Sequence, residues 1–318
     1  MSLLLRSSMF TLWGYQAFTK AGFLRASKSF DPNDLNVDLS GKVMIVTGAN
    51  SGLGKVTALE LAKRGAELHI LCRSPNLGAS ARTELIEQSK NQNIHLHVVD
   101  ISRPAMIKEF VSTFLRSKGD GAQLHVLVNN AGALFTEKTV TPDKLDGSFA
   151  TNTLGTYYLT QLLIPTLEKT PGSRVVTVSS GGMYNARLDI TDLQFERMAE
   201  KWNGVLAYAY DKRAQVELTE LWAERHPKIH FFSMHPGVDK SLPSLNKYVG
   251  DNLRTPEQGA DSIVWAACAK SALSIRSGAF IFDRQEAVQH LTLAGTQCPK
   301  DDVVKLAAKL DEIAASLV

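Results

Sequence analysis

Three features of the sequence predict an α/β fold built on one doubly wound, mainly parallel sheet. Short apolar runs without strict polar alternation recur along the chain, as expected of strands buried on both faces. Segments of helical periodicity separate them. A glycine-rich turn, residues 47–54, joins the first apolar run to the first helical segment. Right-handed crossovers between parallel strands then place helices on both faces of the sheet.

The first strand is predicted over 43–47, and the helix after it over 52–64, with Leu53, Val56, Leu59, Leu61 and Ala62 at the apolar positions. Strand 68–72, helix 77–89, strand 94–99, helix 104–117 and strand 124–129 follow. A long helical stretch, 142–168, comes next, and Pro165 is expected to kink it. Strand 174–179, helix 207–225, strand 229–234, a helix near 256–270, strand 279–282 and a terminal helix over 301–316 complete the series. No repeat, low-complexity tract or linker divides it. Residues 39–318 therefore read as one domain behind an N-terminal arm, residues 1–38.

Composition narrows the classes. Hydrophobic residues make up 44% of the 318, enough for a large core and too many for general disorder. Thirty-five Lys and Arg against 32 Asp and Glu give a net charge of +3, so the whole-chain balance gives no basis for a nucleic-acid partner. Cys72, Cys268 and Cys298 lie far apart with no CxxC pair. They suit reduced thiols in an intracellular protein, and no metal site is expected.

The arm has its own character. No acidic residue precedes Asp31, whereas Arg6, Lys20, Arg25 and Lys28 are basic. Between Arg6 and Lys20 stand Met9, Phe10, Leu12, Trp13, Tyr15 and Phe18, a stretch too short and too polar to span a bilayer. Three readings fit residues 1–30: an amphipathic helix on a membrane surface, a mitochondrial presequence, or an arm packed on the protein's own body.

In the glycine turn, Gly48 permits the sharp bend, Gly52 lets backbone approach a pyrophosphate, and Gly54 lets the helix pack against the sheet. Asn50, Ser51 and Leu53 complete the loop, and the helix N-terminus offers unpaired N–H groups to phosphate oxygens. This is the pattern of a Rossmann-type dinucleotide site. An acidic residue about 20 positions later would favour NAD. Arg73 stands there instead, 19 residues after Gly54, and a guanidinium forks onto a phosphate, so NADP(H) is preferred over NAD(H). Asp100, followed by Ile101, ends the third strand and is open to two readings, an adenine contact or a helix N-cap.

Tyr208 and Lys212 share a helix face at i, i+4. A nearby ammonium stabilises a phenolate and so makes a phenol usable in proton transfer. Lys212 is also placed to reach the nicotinamide ribose. Tyr210 points elsewhere. Ser180, at a strand end, is placed to hold a carbonyl oxygen. Asn129, Asn130, Ala131 and Gly132 end another strand; the asparagines are expected to tie strand ends together, and Ala131 and Gly132 to leave room for the cofactor. Asn152 is a poor helix former inside a helix, and its amide is expected to hold a water in a relay to Lys212. Pro236, Gly237 and Val238 shape a turn at the crevice, from which Ser241 reaches toward the nicotinamide carboxamide; His235 reads as a structural neighbour of that turn.

In this order and over about residues 40–285, these motifs resemble the short-chain dehydrogenase/reductase superfamily. The resemblance implies a seven-stranded sheet and a catalytic tetrad of Asn152, Ser180, Tyr208 and Lys212, with Ser180 preferred to Ser179. It also implies NAD(P)-dependent interconversion of carbonyl and alcohol groups, and a possible homodimer through helices 142–168 and 207–225. Two departures stand out: Ser241 replaces the family's usual Thr, and the 28-residue interval from Ser180 to Tyr208 implies an insertion near 183–206. Met183, Tyr184, Leu188, Ile190, Leu193, Phe195, Met198 and Trp202 in that insertion, with Leu242, Leu245, Tyr248, Val249 and Leu253, suggest a lipophilic substrate or a lid that merely packs. The 242–253 segment is expected to move to admit ligand. The alternative to an enzyme is an NADP(H)-binding sensor or scaffold with little turnover.

Overall fold

The computed structural model describes Gly14, residues 16–238 and residues 250–318. After α1 (Lys20–Ala26), the chain alternates strand and helix: β1 (Val43–Thr47), α2 (Gly52–Lys63), β2 (Glu67–Cys72), α3 (Pro75–Ser89), β3 (Ile94–Val98), α4 (Pro104–Lys118) and β4 (Val126–Asn129). A π-helical turn (Phe149–Leu154) leads into α5 (Gly155–Lys169), then come β5 (Arg174–Val178), α6 (Gly204–Arg225), β6 (His230–His235), α7 (Pro256–Cys268), β7 (Ala279–Phe282), β8 (Gln285–Glu286) and α8 (Lys300–Ser316).

The strands form one sheet in the order β3-β2-β1-β4-β5-β6-β7-β8. All pairs are parallel except β7 with β8, where Ile281 faces Glu286 and Phe282 faces Gln285. The sheet thus has eight strands rather than seven; the extra one is a two-residue antiparallel return, too short to leave a periodic signal. Strand order reverses beside β1, which puts a crevice at the carboxyl ends of β1 and β4.

β1 shows why the strands lack polar alternation. Val43 and Ile45 face one apolar cluster with Phe110, Leu163, Leu218 and Leu306. Met44 and Val46 face another with Leu61, Leu85, Ile263 and Trp265. Both faces of the sheet are therefore covered by helices, and period 2 is lost.

The helix expected from residue 142 starts later. Lys144 adopts φ 62°, and Val140 bridges Asp146 in antiparallel fashion, so 140–146 is a tight turn. Asp146 Oδ1 accepts from the amides of Ser148 (2.9 Å) and Phe149 (3.0 Å), and the helix begins there. Pro165 lies inside α5 without ending it.

The described part of the arm packs on the body. Phe18 is buried edge-on against His235 (4.3 Å) and Phe282 (5.3 Å). Its carbonyl accepts from Val238 N (2.9 Å) and Arg254 Nε (2.9 Å). Arg254 also donates to Ala17 O (3.0 Å) and forms a buried two-pronged pair with Asp283, at 2.6 and 2.9 Å. Further along, Asp34 accepts from Trp265 Nε1 (2.8 Å) and Ser271 Oγ (2.6 Å). Residues 16–38 are thus integral to the domain surface. Residues 1–13 and Tyr15, part of the 1–30 segment to which the membrane and presequence readings apply, lie outside the described residues. No helix among the described residues is long and apolar enough to cross a membrane.

At the strand ends away from the crevice, Glu67, His69 and His95 have metal-ligand spacing. The Lys118 ammonium already sits on the Glu67 carboxylate. Burial drives the His69 ring, which bonds His97 (2.9 Å), down to about 4.

Removing Arg254 strands the buried Asp283 carboxylate and withdraws a donor from the Ala17 and Phe18 carbonyls. We expect Arg254→Leu to lower unfolding free energy by about 3 kcal/mol, read from urea denaturation. An unchanged midpoint would show that the arm contact contributes nothing to the fold.

Candidate active site

The glycine loop is built by its neighbours. Gly48 holds φ at +66°, the left-handed region that disfavours side chains. A Cβ on Gly54 would meet Asn130 Nδ2 and the Gly48 carbonyl oxygen, each at 2.4 Å, so only glycine fits where α2 crosses the loop. Asn130 donates from Nδ2 to Thr47 O (2.9 Å), and the amides of Asn130 (3.0 Å) and Ala131 (2.9 Å) donate to Thr47 Oγ1. The ends of β1 and β4 are thereby tied, as expected of Asn130. Asn129 instead bonds Thr160 Oγ1 of α5 (2.8 Å).

Ser51 is the N-cap of α2 in extended backbone, with no side-chain cap. The first-turn amides lack helical partners by geometry. This glycine-shaped cradle fits a dinucleotide pyrophosphate. Arg73 follows β2 beside it and is exposed. Asp100 is half-buried, and its Oδ1 accepts from Ser102 N (3.0 Å) and Oγ (2.7 Å). The N-cap of α4 is Arg103, so the helix-cap reading of Asp100 gives way to a local turn. Ile101 belongs to the main apolar cluster, and Leu53 packs against the other.

Lys212 is buried beneath the cleft. Its ammonium donates to Val178 O (2.9 Å) at the end of β5 and to Gln215 Oε1 (3.1 Å). It lies 5.2 Å from the centre of the Tyr208 ring. A Cβ on Gly132 would stand 3.1 Å from Lys212 Nζ and 3.0 Å from Asn152 Oδ1, so this glycine keeps the lysine open toward the cleft. Burial pulls the Lys212 ammonium down to about 8 against the opposing pull of Asp211.

Ser179 and Ser180 are separated by geometry. Ser179 Oγ donates to the Lys212 carbonyl (2.8 Å) and is buried. Ser180 Oγ accepts from Gly182 N (3.1 Å) and stays partly exposed. A Cβ on Gly182 would fall 3.6 Å from Ser180 Oγ and 3.9 Å from Ala209 Cβ, which places Gly182 between the serine and the helical turn carrying Tyr208. Tyr210 packs instead against the main core.

Asn152 is held by both ends of its side-chain amide. Its Oδ1 accepts from Ala133 N (2.9 Å), and its Nδ2 donates to Ala133 O (2.9 Å). The amide clamps the loop following Gly132. Its main-chain carbonyl accepts from Gln215 Nε2 (2.6 Å). Asp211 accepts from Ser148 Oγ (2.6 Å) and Thr153 Oγ1 (2.6 Å), fastening the π-helical turn to α6. Asp211 and Gln215 went unread in the sequence. The available signal was their spacing: Gln215 lies i+3 from Lys212 and i+4 from Asp211.

On the other wall, His235 is buried, and its Nδ1 accepts from Gly181 N (2.9 Å). Desolvation holds its ring well below the ordinary imidazole range. Pro236, Gly237 and Val238 turn the chain toward Arg254, whose amide donates to Val238 O (2.9 Å). Ser241 lies outside the described residues, as do Leu242, Leu245, Tyr248 and Val249. Leu253 is buried, and Met183, Tyr184 and Phe195 of the insertion are core residues. Much of the insertion's apolar character therefore serves packing. A cleft of about 470 Å³ remains between Leu134, Thr136, Trp202 and Val205, one turn before Tyr208.

The reversed strand order and glycine cradle define a dinucleotide-binding α/β domain of dehydrogenase type. The short chain dehydrogenase family profile matches residues 42–188. Dehydrogenase/reductase SDR family member 12 of Homo sapiens is 45% identical over 317 residues, 98% of this chain and 98% of that protein. Retinol dehydrogenase 12 of Homo sapiens is 34% identical over 258 residues, 78% and 79% of the two chains. Among solved structures, an uncharacterized protein from Mycobacterium Paratuberculosis superposes with a TM-score of 0.70 at 24% identity, over 88% and 95% of the chains. The chain belongs to the short-chain dehydrogenase/reductase family. It is an oxidoreductase of that family, whose cofactor class is NAD(P)(H). Residues 91–94, 178–183, 234–237 and 258–261 carry the narrower likeness to member 12, and the near full-length identity bears it out.

Burial raises the Asp211 carboxyl from 3.8 to about 6. A raised acid favours the folded state below its unfolded value, and that contribution disappears as pH rises through the folded value. Relative to Asp211→Asn, the wild type should therefore lose stability between about pH 4 and pH 6. Urea midpoints at both ends of that window measure it; parallel curves would refute the assignment.

Proposed function

We propose that this protein is an NADP(H)-preferring oxidoreductase that interconverts a carbonyl and an alcohol on a lipophilic small molecule, with Tyr208 as general acid and base. The observation that carries the reading is the buried Lys212 ammonium, fixed by Val178 O and Gln215 below the Tyr208 ring.

Gly48, Asn50, Ser51, Gly52, Leu53 and Gly54 would hold the pyrophosphate, and Arg73 the additional phosphate of NADP(H). Asp100 and Ile101 would border the adenine, with Asn130, Ala131, Gly132, Pro236, Gly237, Val238 and Ser241 around the nicotinamide half. When bound, the cofactor supplies or takes up the hydride. In the reductive direction Ser180 orients the substrate oxygen, and Tyr208 hands it a proton. Lys212 offers positive charge to the phenolate left behind. Negative charge grows on that oxygen in the transition state, so donors already aimed at it lower the barrier. In the oxidative direction the phenolate takes the proton back.

Two features support a lipophilic substrate. Leu134 and Val205 are exposed at the cleft beside Trp202. A relative spanning most of the chain bears the name retinol dehydrogenase 12. Support for NADP(H) rests on Arg73 standing where an acid would favour NAD.

Tyr208→Phe should cut turnover of lipophilic aldehydes and ketones by about 10²- to 10⁴-fold while NADPH affinity holds. An NADPH-oxidation assay paired with calorimetric titration separates the two, and surviving turnover would remove Tyr208 from its role. Arg73→Asp should weaken NADPH binding by roughly 10- to 100-fold more than NADH binding. Equal losses in titrations of the two dinucleotides would overturn the preference.

A further inference from the structure

We propose that Gln215 is a positioning residue for the reaction, a rigid bridge that sets Lys212 against the π-helical turn. The bridge has two ends. Gln215 Oε1 accepts from Lys212 Nζ at 3.1 Å, and Gln215 Nε2 donates to Asn152 O at 2.6 Å. A weaker second contact runs from Nε2 to Thr156 Oγ1 at 3.3 Å. All three partners are buried, and Gln215 is itself buried.

The chemistry fixes the amide's orientation. An ammonium has three donors and no acceptor, and a main-chain carbonyl only accepts. The side chain between them must therefore turn its oxygen to Lys212 and its nitrogen to Asn152. Residues 149–154 are π-helical, so the Asn152 carbonyl lies in a segment where the regular α-helical ladder is interrupted. Gln215 satisfies that carbonyl and, through it, gives the lysine a fixed seat.

Gln215 spans directly between the Asn152 main-chain carbonyl and the Lys212 ammonium. A water passes protons by exchanging donor and acceptor roles. An amide held in this orientation cannot do so without becoming an imidic acid. The bridge therefore positions Lys212 and does not carry a proton inward. Two of the three ammonium hydrogens are directed to Val178 and Gln215, which leaves the third for the cleft beside Gly132.

This inference rests on the proposed pairing of Tyr208 and Lys212, and its test has one readout independent of turnover. The charged and titratable groups near Lys212 are Asp211 and Tyr208 on its own helix. β5 and the π-helical turn face it with the uncharged Val178 carbonyl, Ser179 and Asn152.

Gln215→Leu fills the space and removes both bonds. It should lower kcat by about 10- to 100-fold with KM for NADPH changed by less than about 3-fold. Gln215→Glu keeps the shape and places a carboxylate against the ammonium, raising the pH at which Lys212 loses its proton. In the full chain, urea midpoints at pH 8 and pH 10 read that change directly. Lys212 is depressed in the fold, so the wild type gains stability from it as pH rises above about 8. In Gln215→Glu that gain should vanish. If Gln215→Glu leaves the pH dependence of the midpoint unchanged and Gln215→Leu leaves kcat intact, the bridge does not position Lys212. If Tyr208→Phe also retains turnover, the enzymatic reading itself fails, while the midpoints still report whether Gln215 faces Lys212.

Discussion

The structure is organised around one buried positive charge. Burial brings the Lys212 ammonium from 10.5 down to about 8 even against the opposing pull of Asp211. A group buried at such a cost needs its partners in place before the fold is worth forming. Those partners come from separate parts of the chain: the last carbonyl of β5, the side chain of Gln215 on α6 and, through it, the π-helical turn before α5. Gly132, at the end of β4, gives way so that the lysine reaches the cleft. The convergence of β4, β5, α5 and α6 at one mouth is thus a requirement of the charge as much as of the apolar core.

The surrounding polar groups are arranged for holding rather than for reacting. Asp211 fastens Ser148 and Thr153 to α6, Asn152 clamps Ala133, and Ser179 anchors the Lys212 backbone. Each satisfies a buried donor or acceptor that would otherwise oppose folding. Above them stand the groups proposed to meet a ligand: Ser180, Tyr208, Lys212 and the amides at the start of α2. Rigid supports beneath a small reactive set are what preorganised electrostatic catalysis demands.

The strands and most helices were legible in the sequence because both faces of the sheet are apolar and the turns between elements are marked by glycine, proline and serine. β1 and β7 fall on the predicted bounds for that reason. The glycine loop and the Tyr208–Lys212 pair were legible because their spacing is set by local geometry. Three things were not. β8 is too short for any period, and the turn at 140–146 hides inside a sequence with helical spacing. The role of Asn152 depends on which atoms lie across a distance of 60 residues, where Gln215 and Asp211 arrive from α6. Local patterns report which face a residue occupies; they do not report which partner reaches it.

The arm shows how the same constraint extends to the surface. Gly237 has φ +84°, and a Cβ there would lie 2.2 Å from Arg254 Nε. Glycine at 237 thus lets the turn after β6 close directly over Arg254. That arginine is held by Asp283 and by the carbonyls of Ala17 and Phe18, while the Phe18 ring lies against His235, whose Nδ1 receives the amide of Gly181 beside Ser180. A continuous set of contacts thus runs from the arm to both walls of the cleft. Basic, acid-poor composition left three readings open for residues 1–30, one of them an arm packed on the protein's own body. The physical reason it is not detached, at least from residue 16 onward, is that the turn over Gly237 needs what the arm supplies: two main-chain carbonyls for a buried guanidinium and an aromatic ring to exclude water from His235.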